Sequence, residues 1–180
     1  MSSTLKWLLA FIISIIISIH LTFQLLPKIL MQGALNRLIE PIGWNNLVNH
    51  PPPSADLKLI VRPSPDLAYS LCGMKTNSGP LMFKMTFPEG TYSSLAIYKS
   101  NTDVLWSIND LETNSNKINV VIGSSVQIDS IKADYKIETD NKKLLAIARF
   151  LINTDSALTN INEARKSMQC NLAVNIQDNH

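Results

Sequence analysis

The sequence lacks an excess of basic charge. Three of its 16 lysine and arginine residues and one of its 14 aspartate and glutamate residues lie in the first 40 positions, so the rest of the chain carries 13 of each. Proteins that bind nucleic acids usually present a surplus of cations to the phosphates. The balanced charge of this chain therefore argues against nucleic acid as a partner.

The sequence also lacks the motifs of common cofactor and catalytic sites. It contains no P-loop, no GxGxxG, no GxSxG and no HExxH motif. Its three histidines, His20, His50 and His180, lie far from one another and from both cysteines. Zinc ligands are more closely spaced than this in structural sites. We therefore expect no resident metal ion and no cofactor.

Charge is absent from one long stretch near the N-terminus, the twenty residues at positions 7–26. As a helix this stretch is about 30 Å long, the thickness of the hydrocarbon core of a bilayer. It is longer than the apolar part of a cleaved signal peptide, and no typical cleavage site follows it. We predict an uncleaved, single-pass membrane anchor.

The charges on either side of this anchor are nearly balanced, because Lys6 precedes it and Lys28 and Arg37 follow it. The short segment before Lys6 favours a cytoplasmic N-terminus. The C-terminal domain is then expected outside the cytoplasm.

Small side chains recur at every fourth position of the anchor. They are Ala10, Ser14, Ser18 and Thr22. Such a stripe lets two helices approach closely in lipid, so it predicts self-association or pairing with another membrane protein. The alternative is that the hydroxyl groups bond only to carbonyls of the preceding turn.

Pro27 follows the anchor and is expected to kink or end the helix, because proline removes a backbone donor and clashes with the preceding turn. Residues 29–39 are again apolar at helical spacing, and they either continue the helix or lie along the membrane surface. Residues 41–55 contain three successive prolines, which indicate a stiff spacer. The predicted organisation is an anchor with a juxtamembrane helix at 1–40, a spacer at 41–55 and a domain at 56–180.

The period of the hydrophobic pattern changes to two after residue 56. In a strand predicted at residues 81–87, Leu81, Phe83, Met85 and Phe87 alternate with residues that point the other way, as in a half-buried strand. Other strands are predicted at residues 57–62, 67–74, 92–98, 103–109, 117–122, 134–139 and 142–152, although the composition of the last also allows a helix. Their short spacing predicts a mainly β fold, an antiparallel β-sandwich or jelly-roll-like domain.

A C-terminal helix is predicted at residues 155–169, with Thr154 or Asp155 as its cap. Its apolar face is formed by Leu158, Ile161, Ala164 and Met168. The tail after Cys170 has no strong pattern.

The two cysteines, Cys72 and Cys170, are either a buried reduced pair or a disulfide. An extracytoplasmic location favours the disulfide, which would attach the C-terminal helix to the sheet.

Five short segments occur in an order and spacing that resembles the bacterial domain-of-unknown-function 1254 family. They are VRPSPDLAYS (61–70), SGPL (78–81), TYSSLAIY (91–98), NTD (101–103) and IND (108–110). The resemblance is to short membrane-anchored members and covers residues 5–170. It implies a β-sandwich-type domain that works beside a companion domain of unknown function, number 1214, here on a separate protein. Because the family is bacterial, it also implies that the anchor lies in the inner membrane and the domain in the periplasm. It supplies no catalytic residues.

Two classes of function fit these features. The first is a non-catalytic binding or assembly module of the cell envelope that works with a partner protein. The second is an envelope hydrolase that uses carboxylates on a small sugar or lipid-like substrate.

The candidate site for a ligand or partner consists of polar residues at predicted strand ends. They are Arg62, Asp66, Tyr69, Tyr92, Tyr98, Asp103, Asn109 and Asp110. The same residue types also cap turns or fill the rim of a core. The sequence therefore favours the non-catalytic module.

Overall fold

The structure, a computed structural model, describes residues 2–51 and 64–173. It begins with a long helix, α1 (Ser3–Leu38), whose first turn is capped by Ser2: its hydroxyl accepts a hydrogen bond from the amide of Leu5 at 3.4 Å. At about 1.5 Å per residue the helix is about 54 Å long. It is long and apolar enough to cross a membrane, as predicted.

α1 does not end at Pro27, which lies inside the helix. Of the two predicted effects of Pro27, a kink or a helix end, the end does not occur, and of the alternatives for residues 29–39 the continuation of the helix is confirmed, to Leu38. The turns that follow Pro27 pack on the β domain, which buries Met31 and Leu35.

The described residues form nine strands in two sheets. The first sheet has the order β1-β2-β8-β4-β5, and the second has the order β7-β6-β3-β9. The strands are β1 (Leu47–Asn49), β2 (Leu67–Lys75), β3 (Leu81–Thr86), β4 (Ser93–Lys99), β5 (Val104–Asn109), β6 (Lys117–Gly123), β7 (Tyr135–Glu138), β8 (Lys143–Leu151) and β9 (Gln169–Leu172). Two further helices are α2 (Ser125–Ile128) and α3 (Asp155–Ser167). The predicted mainly β, two-sheet fold with a C-terminal helix is confirmed.

All strand pairs are antiparallel except β6 and β7, which are parallel. Parallel neighbours need a crossover connection instead of a tight turn. The connection between these two strands contains α2 and provides that crossover. The second sheet is therefore mixed, whereas the sequence predicted antiparallel strands throughout.

The hydrophobic core lies between the two sheets. The residues of β3 that were predicted to share a face, Leu81, Phe83 and Met85, are all buried in it. They pack with inward-facing residues of the first sheet such as Leu95 and Phe150. The alternating pattern in the sequence thus identified the core face of this strand correctly.

Cys72 of β2 and Cys170 of β9 form a disulfide, with their Cα atoms 6.5 Å apart. The predicted bond is confirmed, but it joins one sheet to the other instead of attaching α3 to a sheet. The two cysteines are 98 residues apart in sequence. In the chain-entropy model, closing a loop of that size stabilises the fold by about 4–5 kcal/mol.

The last turns of α1 pack on the outer face of the first sheet, away from the core. Met31, Leu35 and Ile39 are buried there against Leu71 of β2 and Leu145 of β8. Burying each large apolar side chain contributes about 1.5–3 kcal/mol. The juxtamembrane part of the helix is therefore an integral layer of the β domain.

A close approach between α1 and β2 depends on Gly73. A Cβ atom at this position would lie 2.2 Å from Cγ2 of Ile39, the C-cap residue that follows α1. Asn45, in the turn after α1, forms two hydrogen bonds with β2. Its backbone amide donates to the carbonyl of Gly73, and its side-chain oxygen Oδ1 accepts from the backbone amide of Lys75, both at 2.7 Å. The ammonium of Lys75 lies 4.4 Å from the ring centre of Trp44.

Several segments differ from the sequence-based expectation. The region interpreted as a spacer contains β1, which pairs with β2 at the edge of the first sheet. Asn171 and Leu172, at the start of the tail after Cys170, belong to β9, which pairs with β3. The strand predicted at residues 57–62 lies outside the described residues. Residues 142–152 form a strand, and Thr154 caps α3 through a hydrogen bond from the amide of Ala157.

Candidate functional site

The structure divides the predicted site residues between opposite ends of the first sheet. At the end where β2 and β4 begin and β5 finishes are Asp66, Tyr92, Asn109 and Asp110. At the other end are Tyr98 and Asp103. Tyr69 is buried within β2, where its hydroxyl accepts a hydrogen bond from the amide of Ser64 at 3.2 Å. Arg62 lies outside the described residues.

The three predicted carboxylates do not converge on one pocket. Asp103 and Asp110 flank the six residues of β5, so their backbones lie about 20 Å apart. β8 and β4 separate β2 from β5, which places Asp66 about 14 Å from Asp110. The two carboxylates of a glycosidase are about 5–10 Å apart. This arrangement weighs against the hydrolase hypothesis.

The carboxylates at the strand ends organise turns. Oδ1 of Asp110 accepts a hydrogen bond from the amide of Ser93 at 3.0 Å and thereby closes the end of β4 against β5. Oδ2 of Asp103 accepts from the side-chain amide of Asn101 at 2.7 Å in the β4–β5 turn. Such local bonds are the usual role of aspartate and asparagine in turns.

Tyr98 has a structural partner on the outer face of the first sheet. Nη2 of Arg149 donates a hydrogen bond to its hydroxyl at 2.6 Å. The ring also packs against the buried residues that hold α1 on the sheet. This tyrosine is therefore part of the helix–sheet contact.

An open cleft of about 530 Å³ lies at the end of the sandwich that carries Tyr92 and Asp110. We call it the distal cleft. Its walls are the β3–β4 loop (residues 87–92), the β5–β6 loop (residues 110–116) and Asn153 after β8. A second cleft of about 410 Å³ lies on the other side of the β3–β4 loop, next to α3.

Hydrogen bonds to neighbouring segments hold the β3–β4 loop in place. The side chain of Asn153 donates to the carbonyl of Gly90 at 3.0 Å, and the amide of Phe87 donates to the carbonyl of Asn116 at 2.7 Å. Thr91 also donates through its hydroxyl to the carbonyl of Leu151. Gly90 has a φ of 76°, a conformation that glycine adopts without strain. The loop that divides the two clefts is therefore fixed by the ends of β6 and β8.

The distal cleft faces away from α1. The helix packs near the start of β8, at Leu145, whereas Asn153 lies beyond the end of the same strand. Eight residues of extended chain separate these positions, which corresponds to about 27 Å. The distal cleft therefore lies at the end of the β domain opposite to the one on which α1 packs.

The chemistry of the distal cleft is that of a polar recognition surface. Its side chains include the amides of Asn114, Asn116 and Asn153, the carboxylate of Glu89 and the half-exposed ring of Tyr92. Amides both donate and accept hydrogen bonds, and an exposed tyrosine adds apolar contact. Among residues 2–51 and 64–173, no group of three or more histidine, cysteine, aspartate or glutamate side chains is placed to hold a metal ion.

The sequence analysis did not identify a buried cation, Arg165 of α3, which is 4% exposed. Its Nε donates to the hydroxyl of Ser70 at 3.1 Å, and its Nη2 donates to the carbonyls of Tyr69, at 2.9 Å, and His50. Nη1 donates to the side chain of Asn162 at 3.2 Å. Within the described residues these partners are all uncharged, and burial lowers the pKa of the guanidinium. The residue ties α3 to β2 and to the chain that follows β1.

His50 lies beside this arginine and is also buried. Its Nε2 atom has no hydrogen-bond partner among the described residues. Burial first, and the positive charge of Arg165 second, lower the pKa of the imidazole. The neutral form is therefore the stable one in the folded protein.

One signal in the sequence points to Arg165. It is four residues after Ile161 and three before Met168, on the face of α3 that was predicted to be apolar. A charged residue in such a position needs several hydrogen-bond partners in the interior. Apart from Asn162, these partners come from β2 and from His50, more than 90 residues away, so periodicity alone does not reveal them.

The sequence of residues 44–171 matches the family described as "Protein of unknown function (DUF1254)". The chain belongs to the DUF1254 family. The match covers the whole β domain from Trp44 to β9 and confirms the resemblance noted above. None of the curated proteins matches the chain.

Two solved structures are similar to this DUF1254 chain. The VPA0106 protein from Vibrio parahaemolyticus has a TM-score of 0.68 at 8% sequence identity, over 88% of this chain and 37% of its own. An uncharacterized protein from Burkholderia cenocepacia has a TM-score of 0.46 at 13% identity, over 74% of this chain and 38% of its own. The first similarity supports the fold. The chain spans well under half the length of either protein.

Proposed function

We propose that this protein is a non-catalytic binding module of the bacterial cell envelope. In this proposal α1 crosses the inner membrane, the N-terminus is cytoplasmic, and the β domain lies in the periplasm. The module presents its distal cleft to a partner protein.

The observation that carries the proposal is the docking of α1 on the first sheet. Ile39 occupies the space above Gly73, and the turn at Asn45 is bonded to both Gly73 and Lys75. A helix held in this way transmits its orientation to the sandwich. With α1 in a bilayer, the distal cleft points away from the membrane surface, where a partner reaches it.

The disulfide between Cys72 and Cys170 supports the periplasmic side. Disulfides persist in oxidising compartments such as the bacterial periplasm and are rare in the cytosol. The apolar run of α1 is followed by the β domain, so an oxidising location of that domain implies a cytoplasmic N-terminus.

Binding is favoured over catalysis by the roles of the polar side chains. Asp110 and Asp103 are occupied in turns, and the predicted carboxylates are too far apart to act as a pair. The resemblance to the DUF1254 family implies a companion domain, number 1214. We propose that a separate protein with this domain is the partner.

The partner is tested by photocrosslinking in living cells. A photoreactive phenylalanine analogue replaces Leu111, which is 83% exposed at the distal cleft, or Val126, which is 89% exposed in α2. β6 separates these positions by about 20 Å. We expect a discrete adduct, containing a protein with domain 1214, from position 111 and not from position 126. Equal adducts from both positions, or none from position 111, would contradict the proposed role of the cleft.

The orientation is tested separately. Both native cysteines are in the disulfide, so a cysteine introduced by Val126→Cys provides a single free thiol. We expect a membrane-impermeant maleimide to label it in intact spheroplasts. Labelling only after lysis would show that the β domain is cytoplasmic.

A further inference from the structure

A groove of about 600 Å³ lies between α1 and the outer face of the first sheet. We call it the helix–sheet groove. Its helix side includes Leu30, Gly33 and Ala34, and its sheet side is formed by Leu145 and Ile147 of β8. Pockets of this size accept small ligands. The walls are almost entirely apolar, in contrast to the distal cleft.

Two neighbouring rows of α1 side chains line this groove. Ile29, Gly33 and Arg37 form one row at intervals of four residues, which places them above one another on the helix surface. The row begins with an apolar side chain, passes a residue without a side chain and ends at a cation. The path along the groove therefore has an apolar end and a positively charged end.

Gly33 keeps this path open. A Cβ atom added there would meet nothing within 4 Å, so no neighbouring atom requires glycine at this position. Glycine is unfavourable inside a helix compared with alanine. A small residue at Gly33 is explained if another molecule occupies the space above it.

Arg37 lies at the charged end of the groove and is exposed. Among residues 2–51 and 64–173, no group forms a hydrogen bond or an ion pair with its guanidinium. Arginine recognises phosphate oxygens through two parallel hydrogen bonds. The groove thus combines an apolar channel with an unpaired cation suited to phosphate.

The groove begins where the anchor ends. Ile29 is three residues beyond position 26, about 5 Å along the helix. Ile29 and Leu30 are 64% and 60% exposed and lie one helical turn beyond Leu25 and Leu26, so along these two rows the apolar surface of the anchor continues into the groove. Lys28 lies beside these rows. Arg37 is about 12 Å beyond Ile29. The apolar end therefore opens at the membrane surface, and the cation lies above it.

We propose that the helix–sheet groove binds one anionic phospholipid drawn from the adjacent leaflet. Its phosphate contacts Arg37, and one acyl chain runs past Gly33 towards Ile29 and back into the bilayer. The inference rests on the membrane anchoring proposed above. It adds a lipid-binding site to the module, separate from the distal cleft.

The test uses the full chain in vesicles of phosphatidylethanolamine and phosphatidylglycerol that contain phosphatidylglycerol with a mid-chain diazirine. After irradiation, trypsin releases the peptide 144–149, which contains Leu145 and Ile147, and the peptide 7–28 of the anchor. Lipid around the anchor labels only the second peptide. A lipid whose acyl chain lies in the groove labels peptide 144–149 as well.

We expect both peptides to be labelled in the original protein. In Gly33→Phe, label on peptide 144–149 falls to about a tenth, because the ring fills the path, while label on peptide 7–28 is unchanged. Gln32→Phe adds the same ring to an exposed position of α1 outside the groove and leaves both labels unchanged. Gly33→Leu places a smaller side chain in the same path as a second block, and alkylation that finds no free thiol confirms that each variant retains the disulfide.

The headgroup is tested with Arg37→Gln. In the original protein, we expect the phosphatidylglycerol probe to label peptide 144–149 more strongly than a phosphatidylcholine probe does. In Arg37→Gln we expect the two probes to label this peptide equally. Equal labelling by both probes in the original protein overturns the role of Arg37.

Label on peptide 7–28 alone overturns the lipid site but leaves the anchor intact, as expected if a second copy or another part of the chain fills the groove. Unchanged label on peptide 144–149 in both Gly33 variants also overturns the site. Absence of label from both peptides overturns the membrane anchoring and the lipid site together.

Discussion

The two halves of α1 are both rich in apolar residues, but they differ in what surrounds them. In the spanning half, residues 7–26, side chains point outward, and Trp7 and Phe23 are 76% and 78% exposed. In the docked half, residues 31–39, Leu35 and Ile39 are 1% exposed against the first sheet. Exposed apolar surface of this extent is unfavourable in water. The exposed side chains of the spanning half are therefore more favourable in a lipid bilayer than in water, whereas the β domain covers the docked half.

This difference has a consequence for the geometry of the whole protein. A helix that only spans a membrane leaves its domain free to turn on a linker. Here the same helix continues into the fold, and Gly73 lets it approach the sheet closely. The orientation of the sandwich is thereby coupled to that of the anchor.

Replacing an apolar residue in each half gives the largest expected contrast. Leu35→Ala should lower the free energy of unfolding of the β domain by about 3 kcal/mol, because it leaves a cavity against Leu71 and Leu145. Ile16→Ala in the spanning half should change it by less than about 0.5 kcal/mol. Denaturant unfolding of the full chain in micelles, followed by tryptophan fluorescence, measures both. Equal effects would show that the docked half does not belong to the folded domain.

A smaller effect is expected at the contact between helix and sheet. Gly73→Ala should destabilise the domain by about 1–3 kcal/mol, because the new methyl group overlaps Ile39. Gly33→Ala is the matched control: its Cβ meets open space, and it should stabilise α1 by up to about 1 kcal/mol. The same unfolding measurement distinguishes them. A neutral Gly73→Ala would mean that Ile39 moves aside without loss.

The contact that ties α3 to β2 and to the chain after β1 should also be sensitive to pH through His50, which is buried beside Arg165. The folded state lowers the pKa of this imidazole below its ordinary value of about 6.5, so the unfolded chain binds the proton more readily. Stability is then full above about pH 6.5 and is lost as the pH falls through that value towards the lower folded-state pKa.

Unfolding of the full chain at pH 5, 6, 7 and 8 measures this loss. His50→Gln cannot take up the proton and should flatten the profile in that range. An identical slope in the two proteins would assign the pH dependence to other groups.

The smallest effect on stability is expected in the small-residue stripe of the spanning half. The hydroxyl of Thr22 donates a hydrogen bond to the carbonyl of Ser18 at 2.8 Å, as in the alternative in which these hydroxyls bond to the preceding turn. The side chain is nevertheless exposed and remains available for contact with another helix. Changing Ala10, Ser14, Ser18 and Thr22 together to leucine should leave the unfolding of the β domain unchanged. If the stripe pairs helices, the variant should lose dimers that a membrane crosslinker captures. Undiminished dimers would leave the hydroxyls with only their local role.

The elements that could be predicted from the sequence are those with a strong local pattern. The apolar run of α1, the alternation in β3 and the cap of α3 at Thr154 each depend on residues close together in the chain. β1 and β9 were missed because each is only three or four residues long and is stabilised by pairing with β2 or β3. A strand that short has almost no periodic signal of its own.

The candidate site was predicted only in part. Tyr92 and Asp110 lie in the distal cleft as members of one surface, but Tyr98 and Asp103 lie at the opposite end. Sequence position shows that a residue ends a strand, but the order of strands in the sheet decides which ends meet. The helix–sheet groove was not predicted, because its two walls come from α1 and β8, more than 100 residues apart.

The sequence by itself determined the apolar run long enough to span a membrane, the mainly β character of the domain and the two cysteines available for one bond. These properties follow from composition and short-range periodicity. Only the tertiary structure decided that residues 31–39 pack on the sheet, that Arg165 is buried among carbonyls and that the polar loops gather away from α1. Each of these depends on contacts between distant segments, and an apolar helical pattern is the same whether lipid or a β-sheet covers it.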